Sequence, residues 1–148
     1  MMTGSTNEFI FIQNLGYAHA VFTQDFPETG VTKGQSVLDV PRWTVSTTLH
    51  YKRPLSDQYK FMTGISNSYV SSSQDLTYIR NTIPGRDITN VHFGVEAGKW
   101  TVSLFVNNIF NQRKPIEFVN LVSFTGPPYN RIATNQPLTG GVNFSLEF

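Results

Sequence analysis

The sequence predicts an all-β fold, an antiparallel up-and-down meander of about six strands. Three observations carry that reading. Apolar and polar residues alternate with period two, rich in β-branched and aromatic types and bounded by Gly, Pro, Asn, Asp and Ser clusters. No stretch shows convincing helical periodicity. Connection lengths alternate too, short then long, as an antiparallel meander requires if its turns collect at one end.

The first strand is placed at Asn7 to Phe22, where either face of FIFIQNLGYAHAVF could be the apolar one. The second, Pro41 to Arg53, sets Trp43, Val45, Thr47, Leu49 and Tyr51 against Thr44, Ser46, Thr48, His50 and Lys52. The third, Gln58 to Ser71, alternates less cleanly, since Thr63 and Asn67 share a face with Tyr59, Phe61, Ile65 and Tyr69. In the fourth, Ile88 to Ala97, Val91, Phe93 and Val95 oppose His92, Gly94 and Glu96. The fifth, Lys99 to Phe110, carries Trp100, Val102, Leu104 and Val106 on one side. The sixth, Leu138 to Phe148, is the cleanest: Val142, Phe144, Leu146 and Phe148 alternate with Asn143, Ser145 and Glu147. Short turns follow the second and fourth strands. Long connections follow the first (Thr23 to Val40), third (Ser72 to Asp87) and fifth (Asn111 to Pro137), and long loops of this kind are usually functional or disordered.

Composition narrows the classes of function. The 148 residues suffice for one ordinary domain. A net charge of +1 gives no electrostatic case for nucleic acid. Only 14% of residues are charged, below the roughly 25% usual in soluble domains, and aromatics reach 14%. Cysteine is absent, so disulfide and thiolate chemistry are excluded. We read no signal peptide in MMTGSTNEFIF, and no apolar run reaches the 18 residues of a helical span. Membrane strands need only about ten alternating residues each, so a β-type membrane protein stays open.

The alternating pattern fits two media. In a soluble sandwich or barrel the oily face would point inward. Against that, the polar face is mostly Ser, Thr, Asn, Gly and His, with few of the Lys and Glu that cover solvated sheets. Aromatics also gather at strand ends, Trp43 and Tyr69 at the long-loop end and Tyr51, Tyr59 and Trp100 at the short-turn end. Two such girdles mark the headgroup levels of a membrane barrel.

The segments LGYAHAVFT, VPRWTVSTTLHYKRPL, WTVSLFVNNIFNQR and PLTGGVNFSLEF, in this order and spacing, resemble the C-terminal part of a TonB-dependent outer-membrane receptor. The resemblance spans nearly the whole chain. It implies a 22-stranded transmembrane β-barrel around a plug domain, of which these would be the last six strands. It implies uptake of siderophore, cobalamin or glycan-type ligands, with lipid, the remaining barrel strands, the plug and the barrel-assembly machinery as partners and TonB engaged only through the plug. It places the long loops outside the cell and the C-terminus in the periplasm. The phased series Val142, Phe144, Leu146, Phe148 matches the family's terminal assembly signal. The sequence has no recognisable plug or TonB box, so a fragment unable to transport alone is expected. Alternatives are a soluble β-barrel or sandwich ligand-binding module and part of a plug-less outer-membrane pore.

Chemistry is sparse. No Ser-His-Asp order, nucleophile elbow or paired carboxylates appear, so no enzyme is expected. His19, His50 and His92 lie far apart in sequence, and we expect His50 and His92 to bond lumenal water or Asn, with no metal and no cofactor. The Asn143-Phe144-Ser145 sequon is read as chance. Candidate ligand contacts are Arg80, Arg86, Arg113, Tyr129 and Arg131, because guanidinium forks onto oxygen pairs and aromatic rings stack. Their bland counterpart is a solvated loop, or Arg binding lipopolysaccharide phosphate.

Overall fold

Val, Ile, Thr, Tyr, Phe and Trp fit a pleated, half-buried surface, and where they alternate the chain forms strands. The computed structural model describes residues 6–75, 81–121 and 129–148. The described residues form ten strands: β1 (Glu8–Tyr17), β2 (Trp43–Pro54), β3 (Tyr59–Val70), β4 (Ser73–Gln74), β5 (Thr82–Ile83), β6 (Arg86–Ala97), β7 (Trp100–Asn107), β8 (Pro115–Leu121), β9 (Tyr129–Thr134) and β10 (Thr139–Leu146). Among the described residues the only helical element is a single 3-10 turn, Pro27–Thr29.

Six strands form one antiparallel sheet in the order β1-β2-β3-β6-β7-β10, and these are the six the alternation predicts. Their boundaries differ in places. The first strand stops at Tyr17, five residues before the expected end, and the chain beyond it turns over Arg42 through an Ala18 N–H to Arg42 carbonyl bond of 3.0 Å. The fifth stops at Asn107 rather than Phe110, because Asn108 takes a left-handed φ of 52°.

The long connections hold more order than their composition suggests. The third contains the β8–β9 ribbon and the second the β4–β5 pair. The first is tied by bridges between Val21 and Ser36 and between Phe26 and Val31. Strands so short carry too few alternating residues to announce themselves by period. All three long connections leave the same end of the sheet. The two short turns, after β2 and β6, lie at the other. At the β6–β7 turn Gly98 supplies φ 57°, the glycine-first arrangement of a two-residue hairpin.

No thick core forms. Among the described residues only Ile83 and Ala97 are buried hydrophobics. Backbone pairing and cross-strand contacts hold the sheet instead. Gly94 is where two strands approach most tightly: a Cβ there would lie 2.5 Å from the Val102 carbonyl oxygen and 2.7 Å from Ser103 Cβ. Backbone cannot yield cheaply, so Gly94→Ala is expected to cost about 1–3 kcal/mol, the usual scale of overpacking. The urea midpoint of the purified protein checks this, with Gly140→Ala as the comparison, where a Cβ would meet only the Phe105 carbonyl oxygen at 3.5 Å and Val106 Cγ2 at 3.9 Å.

Candidate functional site

Register assigns every side chain of the large sheet to one of two faces. One face carries Phe9, Phe11, Leu15 and Tyr17 from β1, which settles the ambiguity of that strand, together with Trp43, Val45, Leu49 and Tyr51 from β2. Tyr59, Phe61, Ile65 and Tyr69 of β3 join them, as do Val91, Phe93, Val95 and Ala97 of β6. Trp100, Val102, Leu104 and Val106 of β7 and Val142, Phe144 and Leu146 of β10 complete the face. Nothing among the described residues lies over it. Phe9 is 65% exposed, Phe144 68% and Leu104 40%.

The apolar residues form a slanted band. One row registered across all six strands reads Phe11, Leu49, Ile65, Val91, Val106, Gly140. On β1 the series reaches from Phe9 just below this row up to Tyr17; on β10 it lies wholly below, from Val142 towards Phe148. The midpoint therefore drops about seven residues over five strand spacings. At about 3.4 Å per residue and about 4.8 Å per strand, the slant is about 45°. The five girdle candidates all lie on this face. Trp43 and Tyr69 sit on the band's upper boundary, and Tyr51, Tyr59 and Trp100 on its lower one. Tyr17 joins the upper row with its ring centroid 4.5 Å from that of Trp43. The sequence reading missed it, because the first strand's facing was open.

Polar groups within this face bond locally. Thr63 Oγ1 donates to the His92 carbonyl at 3.0 Å, and Asn67 Nδ2 donates to Thr89 Oγ1 at 2.9 Å and to Asp87. Gln13 and Thr47, opposite each other on β1 and β2, interrupt the band near its centre there.

The opposite face is wet. Thr44, Ser46, Thr48 and His50 of β2 lie beside Ser66 and Ser68 of β3 and Asn90 and His92 of β6. Asn14 Nδ2 donates to Ser46 Oγ at 3.2 Å, and the face carries one ion pair, Lys60 to Glu96 at 3.1 Å, both partly exposed. Such a pair contributes at most about 1 kcal/mol.

The loop candidates do not assemble. Arg80 lies outside the described residues. Arg86 opens β6 on the wet face, Arg113 is exposed in the connection before β8, and Tyr129 and Arg131 belong to β9. Among the described side chains no hydrogen bond joins Arg86, Arg113 and Arg131 to one another. What does organise this end is asparagine. Asn108, 2% exposed, donates from Nδ2 to the Gln112 and Gln136 carbonyls at 2.9 and 2.8 Å and accepts the Gln112 N–H at 2.9 Å. Its own N–H donates to Asn90 Oδ1 at 2.9 Å. Lys114 Nζ donates to the Gly85 carbonyl at 2.6 Å, pinning the base of the β8–β9 ribbon to the start of β6.

Among the described residues no group of three or more His, Asp or Glu is placed to hold a metal. His50 and His92 are neighbours all the same, their ring centroids 5.4 Å apart. Comparison of the chain with protein-family models, with curated proteins and with solved structures finds no match.

Proposed function

We propose that this chain is the C-terminal barrel segment of a TonB-dependent outer-membrane receptor, forming part of its wall and of the vestibule through which a siderophore, cobalamin or glycan-type ligand passes. The observation that carries the reading is the slanted, uncovered apolar band. Transmembrane barrels tilt their strands by about 35–45° and carry an outward apolar zone about 25 Å tall between aromatic girdles. The band here matches in slant. Its nine-residue run on β1, Phe9 to Tyr17, covers about 27 Å along the strand, or about 19 Å across a bilayer at that tilt, before ring lengths are added.

Two further features support it. Thr63 Oγ1 and Asn67 Nδ2, on the oily face, donate their hydrogen bonds within the sheet, as a hydrocarbon medium favours. The outer edges of β1 and β10 face no strand among the described residues, and unpaired backbone in lipid costs several kcal/mol per group. The six strands thus pair with further strands, which a 22-stranded wall supplies. Long connections would face outward and the C-terminus the periplasm, with TonB acting only through the plug of a full receptor. A soluble binding module would need a second layer over Phe9, Leu104 and Phe144.

The chain's two tryptophans make the test direct, since both lie on the apolar face near opposite boundaries. In reconstituted lipid, Trp43→Phe and Trp100→Phe leave one reporter each. Both are expected to be quenched most strongly by lipids brominated near the headgroup. Emission unaffected by bromine at any depth, or protein recovered without detergent, would refute the membrane assignment.

The terminal series makes a separate prediction. Phe148 is fully exposed beyond β10 and makes no packing contribution that its loss could remove. Phe148→Ala is expected to lower the membrane-inserted fraction severalfold in cells while leaving the denaturation midpoint of purified protein unchanged. Equal insertion of both forms would remove the assembly-signal role.

A further inference from the structure

On the wet face one registered row reads Ile10, His50, Gly64, His92, Phe105, Gly141. Gly64 lies between the two histidines, and its missing side chain leaves a vacancy that their rings share. A Cβ on Gly64 would stand 2.4 Å from His92 Cε1 and 2.8 Å from both His50 Nδ1 and His92 Nε2, so the two rings close over the glycine. One ring nitrogen from each imidazole therefore borders the same small volume. Metal–imidazole bonds are about 2.0–2.1 Å, so a small rotation of each ring brings both nitrogens onto a common ion. The 5.4 Å centroid separation and 49° tilt between rings leave room for it. Neither imidazole is hydrogen-bonded to the protein among the described residues, so its lone pair is not already committed.

The surroundings set the class of ion. Both imidazoles line a pocket of about 270 Å³ together with Glu8, Ile10, Lys52 and Met62. Glu8 lines the same pocket opposite Lys52, but among the described residues no third His, Asp or Glu completes a metal-holding group with the two imidazoles, so this cannot be the closed four-ligand cage of structural zinc. Water or an incoming ligand's oxygen would fill the remaining positions. Neutral imidazole suits late first-row divalent ions, and affinity rises along the series to copper.

We propose that His50 and His92, brought together over Gly64, form an open two-imidazole site for a late first-row divalent cation, with Cu²⁺ bound ahead of Ni²⁺ and Zn²⁺. The site stands on the sheet's register alone and holds whichever medium meets the opposite face.

The test is Cu²⁺ titration of the full chain in detergent, followed by electron paramagnetic resonance. One equivalent should bind with the nitrogen hyperfine pattern of two imidazoles. His50→Ala and His92→Ala should each weaken binding by about tenfold or more, at least the scale seen when a metal site loses a supporting group. Gly64→Ala keeps both ligands but fills the vacancy, and should abolish the two-nitrogen pattern. His19→Ala should leave it intact. Circular dichroism identifies any variant that misfolds, and the His variants, on an open face, keep the test alive if Gly64→Ala does. Unchanged copper binding in the His50→Ala, His92→Ala double variant, or no stoichiometric binding by the unaltered chain, overturns the proposal.

Discussion

Leu104→Arg is expected to destabilise the lipid-inserted sheet by about 2–4 kcal/mol, the cost of a guanidinium at the mid-depth of a membrane barrel's outer face. Leu104 sits mid-band on β7, level with Phe93 and Val142, and its side chain has nothing over it. The size of the effect discriminates between media. Were that face in water, a change at an exposed position would stay within about 0.5 kcal/mol. Ser103→Arg is the matched control: one residue away, it projects to the wet side, where a long cation finds solvent. Unfolding in lipid vesicles by urea, read from Trp emission, gives both values. A Leu104→Arg midpoint equal to that of Ser103→Arg would place the oily face in water.

Asn108→Ala is expected to cost about 3 kcal/mol, the largest loss for any single polar side chain at the loop end of the sheet. Three bonds disappear with the amide. The Gln112 N–H and the Gln136 carbonyl lose a partner, and a buried polar group left unsatisfied costs about 1–3 kcal/mol. The φ of 52° adds strain, because a side chain with a Cβ tolerates the left-handed region poorly, and Asn is among the few that visit it routinely. Asn108→Gly separates the two contributions. It relieves the backbone and still loses the bonds, so it should fall between wild type and Asn108→Ala. The damage should be local: limited proteolysis should open the connection between β7 and β10 before β2 or β3. If Asn108→Ala resisted both urea and protease like wild type, the amide would not be what anchors that connection.

The six-strand sheet was legible because its evidence is repeated. Each long strand shows four or more alternations, and neighbouring strands agree on which face is oily. The β10 series needed no structure to be seen. The β1 facing could not be decided from FIFIQNLGY, whose Ile10 and Ile12 oppose Phe9 and Phe11; only pairing with Leu49 and Tyr51 decides it. The β4–β5 and β8–β9 pairs were not legible, since β4 and β5 have only two residues each, PIEFVNL breaks its alternation at Phe118 and Val119, and their anchors are polar bonds such as Lys114 to Gly85. The wet-face histidines were visible as residues on a polar face. Their approach was open from the shared face, but that they meet across Gly64 depends on which residue falls between them in register. The loop candidates Arg86, Arg113 and Arg131 were visible only as residue types, since sequence proximity in a long connection says little about which side chains share space.

The diagonal of the greasy zone limits what any completing strands can do. Side chains swap faces with every single-residue slip, so the stagger can accrue only in steps of two, and one inserted residue would turn a whole strand inside out. Carried around a ring of 22 strands, an advance of about seven residues per five neighbours amounts to a helical lead of about 31 residues per circuit, and the lead fixes the girth of the closed cylinder together with the strand number. Any strand that completes such a ring would have to inherit both the parity and the pitch of these six.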